Sequence, residues 1–169
     1  PLYPPLREPQ YLLSLANKLV QVSREFSLDV IHAHYAIPHA AGAYLARQIL
    51  ATSGDDRVPK VITTLHGTDV TLVGADPSYS RTVTFCIDQS DGVTTVSESL
   101  KAETIRELSV GADIRVIPNF LDCDRYRRMP DPALRARLAG DDPATKLVIH
   151  VSNFRPVKRV DAVGEIFRR

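Results

Sequence analysis

The chain has 169 residues, of which 44% are hydrophobic and 24% charged, and its formal net charge is +1 at pH 7. This length and balance predict a folded chain with a buried core, made of one domain or of one domain and part of another. The near-zero charge gives no reason to expect a nucleic acid or an acidic membrane surface as a partner, and no apolar run reaches the ~20 residues of a spanning helix.

The first part of the chain predicts two helix–strand pairs. Apolar residues recur at helical spacing over 11–26, and the run LDVIHAH at 28–34 suits a buried strand. Pro38, a residue favoured in the first helical turn, opens a predicted helix that runs to Leu50. After a turn that contains Gly and Asp, KVITTL at 60–65 predicts the next strand.

The same alternation continues through the middle of the chain. We predict a helix over 79–89 and a strand over 92–96, which is a short run rich in Val and Thr. A helix follows over 97–108, and we expect the Ser97 side chain to cap its N-terminus. The run that begins at Ile114 predicts another strand, over 114–118.

The last part of the chain predicts a helix over 132–138, a strand over 146–151 and a helix over 160–168. Strands that alternate with helices and consist of near-continuous Val, Ile and Leu are typical of parallel sheets buried on both faces. We therefore predict an α/β fold. It has an open parallel Rossmann-like sheet with helices on both faces, followed by the first strand–helix unit of a second Rossmann-like domain.

The domain boundary is predicted within 131–144, a stretch that contains several Asp and Pro residues. The first domain then covers 1–140 and the second covers 141–169. The second is too short for a complete domain, because the chain ends after one strand and one helix.

Polar groups follow every predicted strand. In an open parallel sheet, ligands bind beyond the carboxyl ends of the strands, so these groups are candidate site residues. They are His34 and Tyr35, the segment 64–69, Ser97, Asn119 and the segment 152–155. We therefore expect a polar cleft at this edge of the sheet.

The tetrapeptide HGTD at 66–69 is the most distinctive of these strand ends. Gly67 permits a tight turn and a close approach of a ligand to the backbone. His66 can donate a hydrogen bond to a substrate hydroxyl or move a proton. The residues alone also allow a purely structural interpretation, in which His66 ends a strand and Thr68 and Asp69 cap the next turn.

His32 and His34 lie two positions apart on a predicted strand, so they point to the same face. Zinc needs three or four ligands, and the nearest further histidine, His39, falls at the start of a predicted helix. We expect packing and hydrogen bonding for these side chains rather than a metal site.

The segment SNFRPVKR at 152–159 leads from a predicted strand into a predicted helix. Arg155, Lys158 and Arg159 lie near the helix N-terminus, where free N–H groups and the helix dipole favour anions such as a pyrophosphate. A solvated basic turn is the alternative. The sequence has no GxGxxG, GxxxxGK[ST] or GxSxG motif, which disfavours a dinucleotide enzyme, an ATP phosphate loop and a hydrolase.

Five segments together resemble the retaining glycosyltransferases of the GT-B fold: LDVIHAHYAIPHA, VITTLHGTDVT, SDGVTTVSESL, VIPNFLD and VIHVSNFRPVKRV. The resemblance covers nearly the whole chain and keeps the order of the motifs. HYAIPHA together with HGTD and HVSNFR-x-VKR is similar to the subgroup that begins bacillithiol biosynthesis. This implies transfer of N-acetylglucosamine from UDP-N-acetylglucosamine to the hydroxyl of L-malate, with retention. It also implies two Rossmann-like domains that face each other across a cleft, with no metal or other cofactor.

On the donor side, the resemblance implies that Lys158 binds the diphosphate, with Asn153 and Arg155 beside it. Many relatives have Arg at the position of Asn153, a departure that fits the malate subgroup. His66 would contact the donor sugar near the reacting centre, so His66 and Lys158 are the implied catalytic residues.

On the acceptor side, the resemblance implies that Tyr35 and Thr64 hold the malate and that Asn119 lines the cleft between the domains. A Gly-rich strand and loop of the family would precede Pro1, and its paired-glutamate motif would follow Arg169. We therefore expect the 169-residue chain by itself to be inactive.

Three alternatives stay open. A GT-B transferase with another acceptor, such as a sugar, a lipid or an inositol phosphate, would share these motifs. A UDP-sugar epimerase would need acid–base carboxylates at the strand ends, where no convincing pair stands. A non-catalytic sugar-nucleotide-binding module would keep the same residues for structure alone.

Cys86 and Cys123 stand neither in a CxxC pair nor at a spacing typical of metal ligands. We therefore expect two reduced thiols and a cytoplasmic protein. The expected partners are the two small-molecule substrates, without nucleic acid or membrane, and the sequence leaves a homodimer open.

Overall fold

The computed structural model describes residues 9–74, 76–140, 142–153 and 156–168. Internal contacts divide the chain into two units, Pro1–Phe120 and Leu121–Arg169. The division falls before the boundary that the sequence predicts near residue 140, so the helix predicted over 132–138 belongs to the second unit. The assignment of the two units to acceptor and donor stays a prediction.

The first unit alternates helices and strands in the predicted order. Its helices are α1 (Pro9–Phe26), α2 (Ala41–Thr52), α3 (Ser80–Asp88) and α4 (Glu98–Leu108). Its strands are β1 (Val30–His34), β2 (Lys60–Leu65), β3 (Gly92–Thr95) and β4 (Ile114–Val116). Each element overlaps its predicted range. None of the helices in the described ranges is both long enough and apolar enough to cross a membrane.

Local chemistry explains where two of these helices begin. Ser97 has extended backbone before α4, and its hydroxyl accepts a hydrogen bond from the Leu100 N–H at 3.2 Å, so the predicted N-cap is confirmed. A π-helical turn over Ala36–Ala40 precedes α2, and within it only Ile37 has a non-helical backbone, so helical backbone begins at Pro38, as predicted. Ile37 has φ −125° and ψ 140°, and a residue before proline avoids the helical conformation for steric reasons.

The four strands form one sheet in the order β1-β2-β3-β4, and every neighbouring pair is parallel. The register aligns Ile31 with Val61 and Val93 with Ile114, so apolar side chains of adjacent strands share a face. A helix connects each strand to the next. The predicted α/β class and the parallel sheet are confirmed.

Helices cover one face of this sheet. Side chains of α2, α3 and α4 pack against Ile31, Ala33, Val61, Leu65, Val93 and Ile114. On the other face, Val30 is 49% exposed, and His32 and His34 are exposed as well. The part of the chain that the structure describes therefore lacks the second helical layer that we predicted. Right-handed crossovers between strands that follow chain order place all connecting helices on the same side.

The second unit contains α5 (Pro132–Ala139) and α6 (Val160–Arg168), both close to prediction. Asp131 caps α5 by accepting a hydrogen bond from the Leu134 N–H at 2.9 Å. The strand predicted over 146–151 is wrong, since the structure has no strand there. A strand needs the hydrogen bonds of a neighbour, and no strand among the described residues of this unit provides them.

Both cysteines are free thiols. Cys86 lies in α3 and is buried in the main core, where burial raises the pKa of its thiol to about 11. Cys123 lies in the second unit and is exposed.

Candidate active site

The carboxyl ends of β1 and β2 lie side by side. His34 and Thr64 are partners in the parallel register, and the next backbone N–H, from Tyr35, donates to the Thr64 carbonyl at 3.0 Å. Tyr35 has φ 78° and ψ 139°, a strained conformation that costs a non-glycine residue about 1–3 kcal/mol. The strand ends thus bring His34, Tyr35 and His66 to one edge, as predicted. Asn119 follows β4, farther along the sheet, and is exposed.

An imidazole pair connects the two strand ends. Nδ1 of His34 and Nε2 of His66 are 2.8 Å apart, which is a hydrogen-bond distance. The ring centroids of these residues are 5.1 Å apart, and the Tyr35 ring also lies 5.1 Å from the His66 ring. The His32 ring lies 4.5 Å from that of His34. His66 is therefore held by one ring nitrogen and flanked by aromatic rings.

Both outer histidines of this cluster favour the neutral form. Burial lowers the pKa of His66, and the neighbouring His34 and His32 lower it further. The pKa of His32 is also lowered, first by partial desolvation of its ring and then by His34. Because the ordinary pKa of histidine is already about 6.5, His66 is mostly neutral at pH 7, with one N–H donor and one lone-pair acceptor.

Thr64 is 8% exposed, and its hydroxyl is already engaged. Oγ1 lies 2.7 Å from Nε2 of His32 and 2.6 Å from Oγ1 of Thr94. A hydroxyl has one donor and two acceptor positions, so these two contacts use most of its capacity. The polar chain joins β1, β2 and β3 on the sheet face that carries no described helix. The malate-binding role of Thr64 stays a prediction, and its observed contacts are structural.

His39, which the sequence did not single out as a site residue, also supports this edge. Its Nδ1 lies 2.6 Å from the carbonyl oxygen of His34 and must donate, because a carbonyl only accepts. In neutral His39, Nε2 then accepts from the Tyr11 hydroxyl at 3.3 Å. The only sequence signal was the position of His39 within HYAIPHA, which does not reveal its partners.

An open recess of about 270 Å³ adjoins the cluster. It is lined by Leu15, Leu19, Ile31, His32, Ala33, His34 and His39. A larger recess of about 460 Å³ lies between α3 and α4 and contains none of the predicted site residues. The smaller recess is the one that reaches a predicted strand-end residue, His34.

The loop after β2 turns sharply at Gly67, which has φ +110°, a conformation that side chains rarely adopt. The Gly67 carbonyl accepts hydrogen bonds from the N–H groups of Val70 and Thr71 at 2.9 and 2.8 Å. These bonds start a π-helical turn over Asp69–Gly74. The predicted role of Gly67 in a tight turn is confirmed.

Asp69 supports this loop from inside the protein. It is 1% exposed, and its Oδ1 accepts a long hydrogen bond, 3.3 Å, from the His66 N–H. Oδ2 has no hydrogen-bond partner within the described ranges. Burial raises the pKa of the carboxyl to about 6, and the N–H groups of Asp69, His66 and Gly67 offset part of this effect.

Lys158 and Arg159 lie just before the start of α6, as the sequence predicts. Lys158 ends a short 3-10 turn, Arg159 follows it with φ 46°, and α6 begins at the next residue. Lys158 and Asn153 are exposed. Arg155 lies outside the described residues. A cation at a helix N-terminus suits an anion, while the roles of these three residues toward the donor stay predictions.

The arrangement in the first unit suits the recognition of hydroxyl groups. It offers neutral imidazole nitrogens and a tyrosine, which can donate and accept hydrogen bonds at neutral pH. Within the described ranges, no group of three or more His, Cys, Asp or Glu residues is arranged to hold a metal ion. His32 and His66 make hydrogen bonds to Thr64 and His34, respectively.

Comparison with known proteins identifies the family. Residues 1–125 match the family described as Glycosyltransferase Family 4. The chain belongs to this family. It is also 42% identical over 167 residues to N-acetyl-alpha-D-glucosaminyl L-malate synthase of Bacillus anthracis, an alignment that covers 99% of the chain. The chain spans 42% of the length of that relative. The resemblance to glycosyltransferases is thus confirmed at the family level.

The buried carboxyl of Asp69 predicts a pH-dependent effect of Asp69→Asn. The native state holds the proton up to about pH 6, whereas an unfolded Asp releases it near 3.8, so the parent loses stability as the pH rises through this range. The difference in unfolding free energy between the variant and the parent should therefore rise by about 3 kcal/mol, in favour of the variant, as the pH increases from 4 to 7. Above pH 7 this difference should stay constant.

Urea unfolding at pH 4, 5, 6, 7 and 8 measures this difference. Asp76→Asn is the matched control, because Asp76 is an exposed aspartate just beyond the same loop. A gain that does not depend on pH, or the same profile in the control, would contradict a buried carboxyl with a raised pKa.

Proposed function

We propose that the protein transfers N-acetylglucosamine from UDP-N-acetylglucosamine to the hydroxyl of L-malate, with retention and without a metal ion. This is the first step of bacillithiol biosynthesis. The observation that carries the proposal is the 42% identity, over 99% of the chain, to a relative named as an N-acetyl-alpha-D-glucosaminyl L-malate synthase. The hydroxyl-binding character of the His66 site supports it.

The donor end of the reaction needs a cation near the leaving group. When the glycosidic bond breaks, negative charge develops on the β-phosphate of UDP. Lys158, together with the free N–H groups at the start of α6, is suited to stabilise this charge more strongly in the transition state than in the ground state. Asn153 and Arg155 are proposed to bind the same diphosphate.

The acceptor end must bind a hydroxyl and two carboxylates, and carboxylates require hydrogen-bond donors. We assign the direct contact to Tyr35, whose ring lies beside His66 at the edge of the sheet. The Thr64 hydroxyl is already engaged by two neighbours, so we expect Thr64 to hold the strand ends in place. Asn119, which follows β4, is also proposed to contribute to acceptor binding.

Retention requires that the acceptor reach the face of the sugar that the leaving group vacates. In such a front-face reaction, an oxygen of the departing phosphate accepts the proton of the malate hydroxyl. No protein nucleophile is then needed. His66, in its neutral form, is proposed to hydrogen bond to the donor sugar beside the reacting carbon.

We also propose a cytoplasmic location, which the two free thiols support. The proposed partners are the two substrates alone.

The decisive experiment is an acceptor panel with the full-length protein and UDP-N-acetylglucosamine. We expect UDP release that depends on L-malate, and a product whose mass equals that of N-acetylglucosaminyl malate with an α-anomeric proton signal. Glycerate, lactate, inositol phosphate and glucose serve as the other acceptors. A product with one of these but not with malate would replace the proposed acceptor, and a β-linked product would exclude retention.

Lys158→Ala should reduce kcat by about a hundred- to a thousandfold, because one preorganised contact to the developing phosphate charge is lost. Its unfolding midpoint should stay unchanged, since Lys158 is exposed. Steady-state UDP release measures kcat. Lys146→Ala, an equally exposed lysine of the same unit, is the control, and equal losses in both variants would refute a specific phosphate contact.

Tyr35→Phe should raise KM for malate by about tenfold, the effect of losing one hydrogen bond to a charged group. Slow hydrolysis of the donor in the absence of malate should change little. Tyr44→Phe is the control, because Tyr44 packs edge-on against Phe85 between α2 and α3. If Tyr35→Phe affects donor hydrolysis and malate use equally, Tyr35 does not contact the acceptor.

A further inference from the structure

The hydrogen bond between the two imidazoles decides which nitrogen of His66 is available to a ligand. Nε2 of His66 is engaged in a hydrogen bond with Nδ1 of His34 at 2.8 Å. Nδ1 of His66 has no hydrogen-bond partner in the described part of the chain. Only Nδ1 can therefore meet a substrate without breaking the bond to His34.

His34 is itself fixed on several sides. Its backbone lies in β1 in register with Thr64, and its carbonyl accepts the hydrogen bond from Nδ1 of His39 at 2.6 Å. Its ring lies 4.5 Å from the ring of His32. A side chain on a paired strand, with neighbours on both sides, can hold a partner in one orientation.

When both imidazoles are neutral, the bond between them contains one proton, so it couples their tautomers. If the proton is on Nε2 of His66, then Nδ1 of His34 accepts it, and Nδ1 of His66 presents a lone pair. His34 then has its own proton on Nε2. Both rings are in the Nε2–H form, which is the more stable tautomer of neutral histidine in water. The opposite arrangement puts both rings in the less stable form.

We propose that His34 is a positioning residue that holds His66 in the Nε2–H tautomer and directs the Nδ1 lone pair toward a substrate hydroxyl. The substrate hydroxyl donates and His66 accepts. This inference rests on the proposed function, since the hydroxyl belongs to the proposed donor sugar. In this proposal, His34 acts on the substrate through His66.

Two variants of His34 separate positioning from packing. His34→Asn places an amide oxygen near the original Nδ1, so it can still accept the hydrogen bond from His66. His34→Leu has a comparable size and no acceptor. We expect His34→Leu to lower kcat by about ten- to a hundredfold, by analogy with the loss of the outer hydrogen-bond partner of a metal-bound histidine. KM for malate should change little, and His34→Asn should restore most of kcat.

Nitrogen NMR of the full-length protein, labelled with 15N-histidine, reads the tautomer directly. In the wild type and in His34→Asn, we expect the 15N chemical shift of His66 Nδ1 to be that of an unprotonated ring nitrogen. In His34→Leu, we expect a mixture of the two tautomers. A protonated Nδ1 in the wild type, or an unchanged His66 tautomer in His34→Leu, would overturn the inference. The wild-type spectrum decides the tautomer even where His34→Leu fails to fold.

The two measurements keep the inference and the proposed function apart. If folded His34→Leu transfers to malate with the kcat of the wild type, His34 is not a positioning residue, and the proposed function still stands. Absence of transfer to any acceptor in the wild type would refute the proposed function, while the NMR spectra would still decide the role of His34.

Discussion

The parallel pairing of β1 with β2 is the constraint on which the site depends. It sets His34 beside Thr64, and the Tyr35 N–H continues the ladder by donating to the Thr64 carbonyl at 3.0 Å. A shift of one residue in this register would turn the alternate side chains to the opposite face and separate His34 from His66. The geometry of the histidines is thus a property of the sheet, and the sheet is stabilised by the apolar core beneath its other face.

The two faces of the sheet differ in character: one contributes to the apolar core, and the other carries the polar side chains near the candidate site. The covered face is apolar, with Leu65 and Val61 almost fully buried. The face without a described helix has the polar chain from His32 through Thr64 to Thr94. Short hydroxyl and imidazole contacts of this kind hold neighbouring strands without a net charge. Partial desolvation and the neighbouring His34 lower the pKa values of His32 and His66, which favours the neutral forms of these two residues.

Much of the fold could be predicted from the sequence, because strand and helix patterns are local. The cap at Ser97 and the turn at Gly67 depend on a few adjacent residues, and both were predicted correctly. The strand expected over 146–151 depends on a pairing partner, which its own residues cannot reveal. The same holds for the bond from His34 to His66, since it joins residues 32 positions apart. Parallel topology predicted that the strand ends meet, but not which ring nitrogens touch.

The contrast between the two thiols has a practical consequence for labelling. A thiolate is the nucleophile toward maleimides, so a buried cysteine with a pKa of about 11 reacts very slowly near pH 7. Cys123 is exposed and lies in the other unit. A fluorophore would therefore attach at Cys123 in preference to Cys86 without any engineered substitution. Cys123 is thus a labelling site in the second unit at which a fluorophore can report on that unit.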